Sequence, residues 1–270
     1  MEPMRSLSVL LVLLLSTTCL AAESGLTLFE RFWRESRDTI YPASLVTDYF
    51  TSANYETLKD RIAETGSIDE IADVLNGFLG QLGVSHTGFY TESDPDYYLL
   101  QSLFAYQDID SPEFNHAGMQ LTLVEGGYRV RAVLDGFPAQ RAGLRRGDLL
   151  LEADGSRFHP VWSFNRRGTD KPVDSAHDIT FSRGGVIRKT RLAAVRGSLH
   201  AAFRQATLDS VKEFSEQGLS IGYLHLWTGT FPDSAAVLQR LATEQLAETD
   251  ALILAYAGGR LERVPVRAGL

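Results

Sequence analysis

Cysteine is almost missing from this chain: of 270 residues, only Cys19 carries a thiol. It lies at the end of a short leader, so the remainder can form no disulfide, no thiolate nucleophile and no cysteine-ligated metal centre. Basic charge is also scarce. With 26 Lys and Arg against 34 Asp and Glu, the net charge of −8 and pI near 5.3 argue against a nucleic-acid binder, which presents a basic face. The six histidines, His86, His116, His159, His177, His200 and His225, include no i, i+4 pair and no acidic ligand pattern, which argues against a metal site. No glycine loop follows a strand and opens a helix, so nucleotide binding is unsupported and no cofactor is expected. Runs of like charge and low-complexity tracts are missing as well.

The leader itself is informative. Arg5 precedes the apolar run Leu7–Leu15, and Cys19-Leu20-Ala21 ends in a small residue of the kind signal peptidase accepts. The run is shorter than the ~20 residues of a spanning helix. The expectation is a signal peptide over residues 1–21, cleaved after Ala21 or Ala22. The chain is then exported to a periplasm or secreted, meeting the membrane only through this signal. Lipid attachment at Cys19 is the rival reading, but that signal favours Gly, Ala or Ser before the cysteine and Thr18 stands there.

Three regions follow. Residues 26–105 read as a helical domain. Phe29, Phe32, Trp33 and Ile40 recur at helical spacing, and Tyr41-Pro42 ends that element. The clearest helix is expected over Ile68–Leu82. Ser67 and Glu70 have capping-box spacing, Ile68, Ile71, Leu75, Phe78, Leu79 and Leu82 form one apolar stripe, and Gly83 stops it. A further short helix is expected to begin at Asp94-Pro95.

Between residues 110 and 196 the period changes to two. Met119, Leu121 and Leu123 alternate with polar residues, Gly126-Gly127 marks a turn, and Tyr128, Val130, Ala132 and Leu134 alternate again. Leu149-Leu150-Leu151 reads as a fully buried strand closed by the turn pair Asp154-Gly155. Two later strands, near Asp178–Ser182 and Val186–Val195, flank Arg183-Gly184-Gly185. Trp162 and Trp227 could line a groove, but an aromatic in a β-rich region is more often core.

From residue 197 onward the pattern is strand Ser220–Leu226, helix Pro232–Leu246 and strand Ala251–Leu254, a parallel pair with a crossover. Two strands and one helix cannot cover both faces of a parallel sheet. Val237, Leu238, Leu241 and Leu246, with Ile253 and Leu254, are therefore expected to lack neighbours.

The middle region resembles a PDZ domain of the bacterial protease type. The resemblance rests on Gly118-Met119-Gln120-Leu121, then Gly136-Phe137-Pro138-Ala139, Ala142-Gly143-Leu144, Gly147-Asp148 and Asp154-Gly155. It implies that Gly118, Met119, Gln120 and Leu121 bind a peptide. Backbone N–H groups after Gly118 would cradle its terminal carboxylate, and the peptide would add as a strand. The implied partners are protein or peptide C-termini.

With Leu82-Gly83-Val84-Ser85-His86-Thr87 before it and Ile221-Gly222-Tyr223-Leu224-His225-Leu226 after it, the chain resembles the S41 serine peptidases, of the C-terminal processing and tricorn-like branches. That resemblance implies an α+β multidomain fold: a helical domain, a PDZ-like β module, and the start of an α/β crotonase-like peptidase domain over 197–270. It implies an exported peptidase acting on proteins recognised by their C-termini. In the tricorn-like branch His86 would be the catalytic base and Ser85 its helper; the processing branch uses a Ser/Lys dyad in the last domain. Ser85-His86-Thr87 tilts the reading toward the former.

Family members continue the second strand into Leu-Asp-Leu-Arg-Gly-Asn, whereas here Leu254 is followed by Ala255-Tyr256-Ala257-Gly258-Gly259. Loss of one nucleotide turns codons for Asp-Leu-Arg-Gly-Gly into this string, so a frameshift and an inactive, truncated copy are expected. Genomic sequence lacking a serine-encoding continuation in the other frame would rule that out. The alternative function is a non-catalytic PDZ peptide-binding protein.

Overall fold

A computed structural model describes residues 24–84, 87–104, 112–165, 176–229, 234–256 and 262–264. The expected signal peptide, Ser85, His86 and the residues after Tyr256 thus lie outside the described residues, apart from strand Glu262–Val264. Contacts divide the chain into two units, Met1–Phe89 and Tyr90–Leu270.

In the first unit, helices form where polar caps precede apolar stripes. Helix α1 (Gly25–Thr39) starts at Ser24, whose hydroxyl accepts from the Thr27 N–H. Helices α2 (Ser44–Tyr49) and α3 (Ser52–Ala63) follow, the latter capped by Thr51. Neither is anticipated by the sequence pattern, because their apolar residues are too few to form a stripe. Helix α4 (Ile68–Leu79) runs into a 3₁₀ turn, Gly80–Leu82, and Gly83 ends it with a left-handed φ of 64°. Ser67 Oγ accepts from the Glu70 N–H, but the Glu70 carboxylate reaches back to Gly66 rather than Ser67. Ile68, in the first turn, is exposed, while Ile71, Leu75, Phe78, Leu79 and Leu82 are buried with Phe29, Trp33 and Phe50.

The second unit opens with helix α5 (Pro95–Phe104), starting at the anticipated Pro. Strand β1 (Phe114–His116) leads through Ala117-Gly118 into β2 (Met119–Val124), and β3 (Gly127–Val133) returns antiparallel. A short helix α6 (Pro138–Arg141), β4 (Leu149–Ala153), β5 (Ser156–Arg157), helix α7 (Trp162–Asn165), β6 (Ala176–Arg183) and β7 (Val186–Ala193) complete a sheet of order β2-β3-β4-β6-β7, with β5 paired to β4. Its core holds Val130, Leu150, Phe158, Ile179 and Phe181. Two expectations need correction. In β4 only Leu150 and Ala153 are fully buried, since Leu149 and Leu151 alternate onto a half-covered face. Leu123 is 64% exposed, because the far end of β2 outruns the core that Met119 and Leu121 pack against.

Strand β8 (Val195–Gly197) pairs with β1, and helix α8 (Leu199–Asp209) follows, capped by Ser198. Then come β9 (Lys212–Glu216), β10 (Leu219–Leu226), helix α9 (Ser234–Arg240) with a π-turn at Leu241–Gln245, β11 (Ala251–Tyr256) and β12 (Glu262–Val264). Strands β10 and β11 are parallel as expected, but the sheet has four strands, β12-β11-β10-β9, with both outer pairs antiparallel. The expected shortage of neighbours is also corrected. Val237, Leu241 and Leu246 are buried with Leu224, and Leu208 and Val211 from the α8 end pack against them.

Candidate functional site

Everything at the candidate site follows from how the chain enters β2. Gly118 has a left-handed φ of 75°, and any side chain there would run into the Phe137 ring. Only glycine satisfies both constraints. The turn is pinned from outside: Leu134 donates its N–H to the Gly118 carbonyl at 2.9 Å and Ala139 donates to Ala117 at 2.9 Å. With these carbonyls held from one side, the run Gly118-Met119-Gln120-Leu121 lies at the sheet's margin. Among the described residues β2 pairs with β3 alone, leaving its other edge for strand addition.

The four sequence-derived peptide-binding residues are thus adjacent and at an edge. Met119 and Leu121 turn inward, half-buried against the sheet core, and help line a small apolar cavity with Phe114, Ala117, Pro160 and Phe164. Pro160 and Phe164 come from the α7 end, some forty residues further along the chain. Nothing local in the sequence announces them.

His116 is the residue that sequence reasoning passes over. It is 5% exposed, stacks on Phe137 with ring centroids 5.7 Å apart, and its Nδ1 is buried without a hydrogen-bond partner. Burial pushes its pKa down to about 4, so the ring is neutral near pH 7. The β1–β8 ladder places this ring beside the start of α8. There it lines both the small cavity and a neighbouring open cleft of about 400 Å³ with Arg141, Ser198 and Asp209.

A second polar cluster ties β3's exit to the C-terminal sheet. Asp135, nearly buried, accepts from Trp227 Nε1 at 3.2 Å and Gln140 Nε2 at 2.9 Å, and lies 3.9 Å from His225 Nδ1. Burial lowers the His225 pKa, with Asp135 opposing the shift. Trp227 belongs to the core, and Trp162 packs half-buried against the same cluster.

Several of the described serines are held by structural roles. Ser198 caps α8, Ser210 Oγ accepts the His225 backbone N–H at 2.8 Å, and Ser220 Oγ bonds to Glu213 at 2.6 Å. Ser182 lies within the β6–β7 ladder. No described helix is long and apolar enough to cross a membrane.

A family model described as PDZ domain matches residues 116–193. No curated protein matches the chain. Among solved structures, the chain is similar to the photosystem II D1 C-terminal processing protease, at 18% identity and a TM-score of 0.45, over 87% of this chain and 62% of that one. It is similar to the tricorn protease at 15% identity and a TM-score of 0.34, over 86% of this chain and 22% of that one. A third similarity is to the HtrA3 PDZ domain bound to a phage-derived ligand (FGRWV), at 17% identity and a TM-score of 0.26, covering 32% of this chain and 89% of that one. The chain thus spans 62% of the length of the processing protease. The family match and the sheet built around the Gly118 turn agree: residues 116–193 form a PDZ domain.

Proposed function

We propose that this chain captures the C-terminal tails of proteins in the groove between β2 and α7, as the recognition step of an exported S41-type serine peptidase. The observation that carries the reading is the meeting of three features in one PDZ domain. These are the left-handed Gly118 turn, the edge of β2, and the apolar wall of Met119, Leu121 and Phe164. Backbone N–H groups after Gly118 would bind the tail's carboxylate, the tail would extend the sheet beyond β2, and its last side chain would enter the apolar wall.

Calorimetric titration with the pentapeptide FGRWV tests this. The free acid is expected to bind at least about tenfold tighter than its C-terminal amide, the difference expected for a charge-assisted contact. Equal affinities would remove the carboxylate nest.

The peptidase part rests on the resemblance around Ser85 and His86, with His86 as general base. A nucleophile must lie within hydrogen-bond reach of such a base. The structural engagement of Ser198, Ser210 and Ser220 favours a second reading, a non-catalytic peptide-binding protein. A fluorophosphonate probe separates the two. Labelling of a serine that is lost in His86→Ala supports the peptidase; an unlabelled chain that still binds FGRWV supports the binder.

A further inference from the structure

A segment that precedes the PDZ domain in the chain helps to line its small apolar cavity. The cavity lined by Met119, Leu121 and Phe164 measures only about 20 Å³. That is room for roughly one water molecule and not for the side chain of a bound peptide. Two of the residues that line it, Pro95 and Leu199, lie outside residues 116–193. Leu199 belongs to a buried cluster with Phe203 and Ala206 and is part of the body of the unit.

Pro95 sits in a segment fastened at two points. Ser93 Oγ accepts from Trp162 Nε1 on α7 at 3.1 Å, fastening the segment to the helix that forms one side of the groove. One turn after Pro95, Tyr98 stacks on Phe114 with ring centroids 4.1 Å apart and planes 12° from parallel. Between these two attachments, the Asp94 N–H bonds to the Thr91 carbonyl at 2.9 Å, setting the turn that aims Pro95 into the pocket. Helix α5 itself is ten residues long. Among its residues with described side chains only Ser102 is fully buried. Tyr98 and Leu99 pack half-buried against the same cluster as Leu199, and so short a helix held by half-buried side chains is marginal by itself.

We infer that residues 91–104 form an intramolecular latch, fastened by Ser93–Trp162 and Tyr98–Phe114, that closes the PDZ pocket until an incoming C-terminal tail displaces Pro95. This inference rests on the peptide-binding reading and specifies its regulation. The observed affinity is the intrinsic one reduced by the fraction of molecules with the latch open, so weakening the latch must tighten binding without adding any contact to the peptide.

The test titrates FGRWV free acid into the full chain and into Ser93→Ala, Pro95→Ala and the double variant. The single variants are expected to bind about threefold tighter and the double variant about tenfold tighter, as the open fraction rises. Because Pro95→Ala also alters the start of a helix, a second measurement uses the unaltered protein. Saturating FGRWV is expected to speed amide hydrogen exchange across residues 95–104 while slowing it in β2. Binding of equal or lower affinity in all variants, with exchange of residues 95–104 unchanged, overturns the latch and leaves the peptide-binding reading standing. No binding by any of the four proteins overturns both.

Discussion

The helical unit and the PDZ domain are built from different currencies of information. The first is held by bulky rings: Phe29, Trp33, Phe50, Tyr55 and Phe78 meet with centroids 4.9 to 6.0 Å apart. Its helices are capped locally, by Ser24, Thr51 and Ser67. The PDZ domain has a mostly aliphatic core and instead depends on backbone turns. Among the described residues, eight glycines between Gly118 and Gly185 adopt positive φ, against Gly83 alone in the helical unit. One region should therefore be sensitive to lost side-chain volume and the other to lost backbone freedom or to a change in a buried polar group.

The sharpest way to break this contrast is Phe29→Ala. Phe29 is completely buried, and its removal is expected to cost about 3–5 kcal/mol in the helical unit, read as a lowered denaturation midpoint. Exchange protection of strands β3, β4 and β6 should be unaffected; loss of that protection would mean that the two regions do not differ as described.

A polar counterpart exists in His116. Its folded pKa, about 4, lies below the ordinary value of 6.5, so folding favours the neutral ring. The resulting stability is fully present above pH 6.5 and is lost as pH falls toward 4, by up to about 3 kcal/mol. Urea unfolding of His116→Phe should show a shallower decline over that window, and an unchanged decline would assign it to other groups.

Gly118→Ala probes backbone freedom directly. A left-handed non-glycine residue plus contact with Phe137 is expected to cost about 1–3 kcal/mol. It should also erase the free-acid preference for FGRWV. Retention of that preference would show that the carboxylate is bound elsewhere.

The smallest effect is expected at Ser67→Ala, which removes the cap on α4 at about 1 kcal/mol. Thermal unfolding should shift slightly without any change in peptide affinity. A shift as large as that of Phe29→Ala would mean that local capping matters more than ring packing in this unit.

How much of this was legible beforehand depended on distance along the chain. Helix α4, the Gly126 and Gly184-Gly185 turns and the parallel pairing of β10 with β11 were all written in local spacing. The left-handed Gly118 turn was legible too, because Gly118 and the residues after it are consecutive. The rest of the site was not. Pro95, His116, Pro160, Phe164 and Leu199 line one cavity but are separated by tens of residues, and no periodicity links them. The two outer strands β9 and β12 were missed for a related reason. They are short, and every described side chain of β9 is exposed, so no apolar alternation marks it.

By itself, then, the amino-acid order determined which stretches coil, which extend, and where glycine must bend the backbone, since these choices are made within a few residues. Only the tertiary structure decided that β2 pairs with β3 alone among the described residues, that His116 is buried, and that Pro95 and Leu199 meet at one apolar cavity. Each of these depends on which distant surfaces exclude water from one another, and burial is a property of the packed chain rather than of any segment.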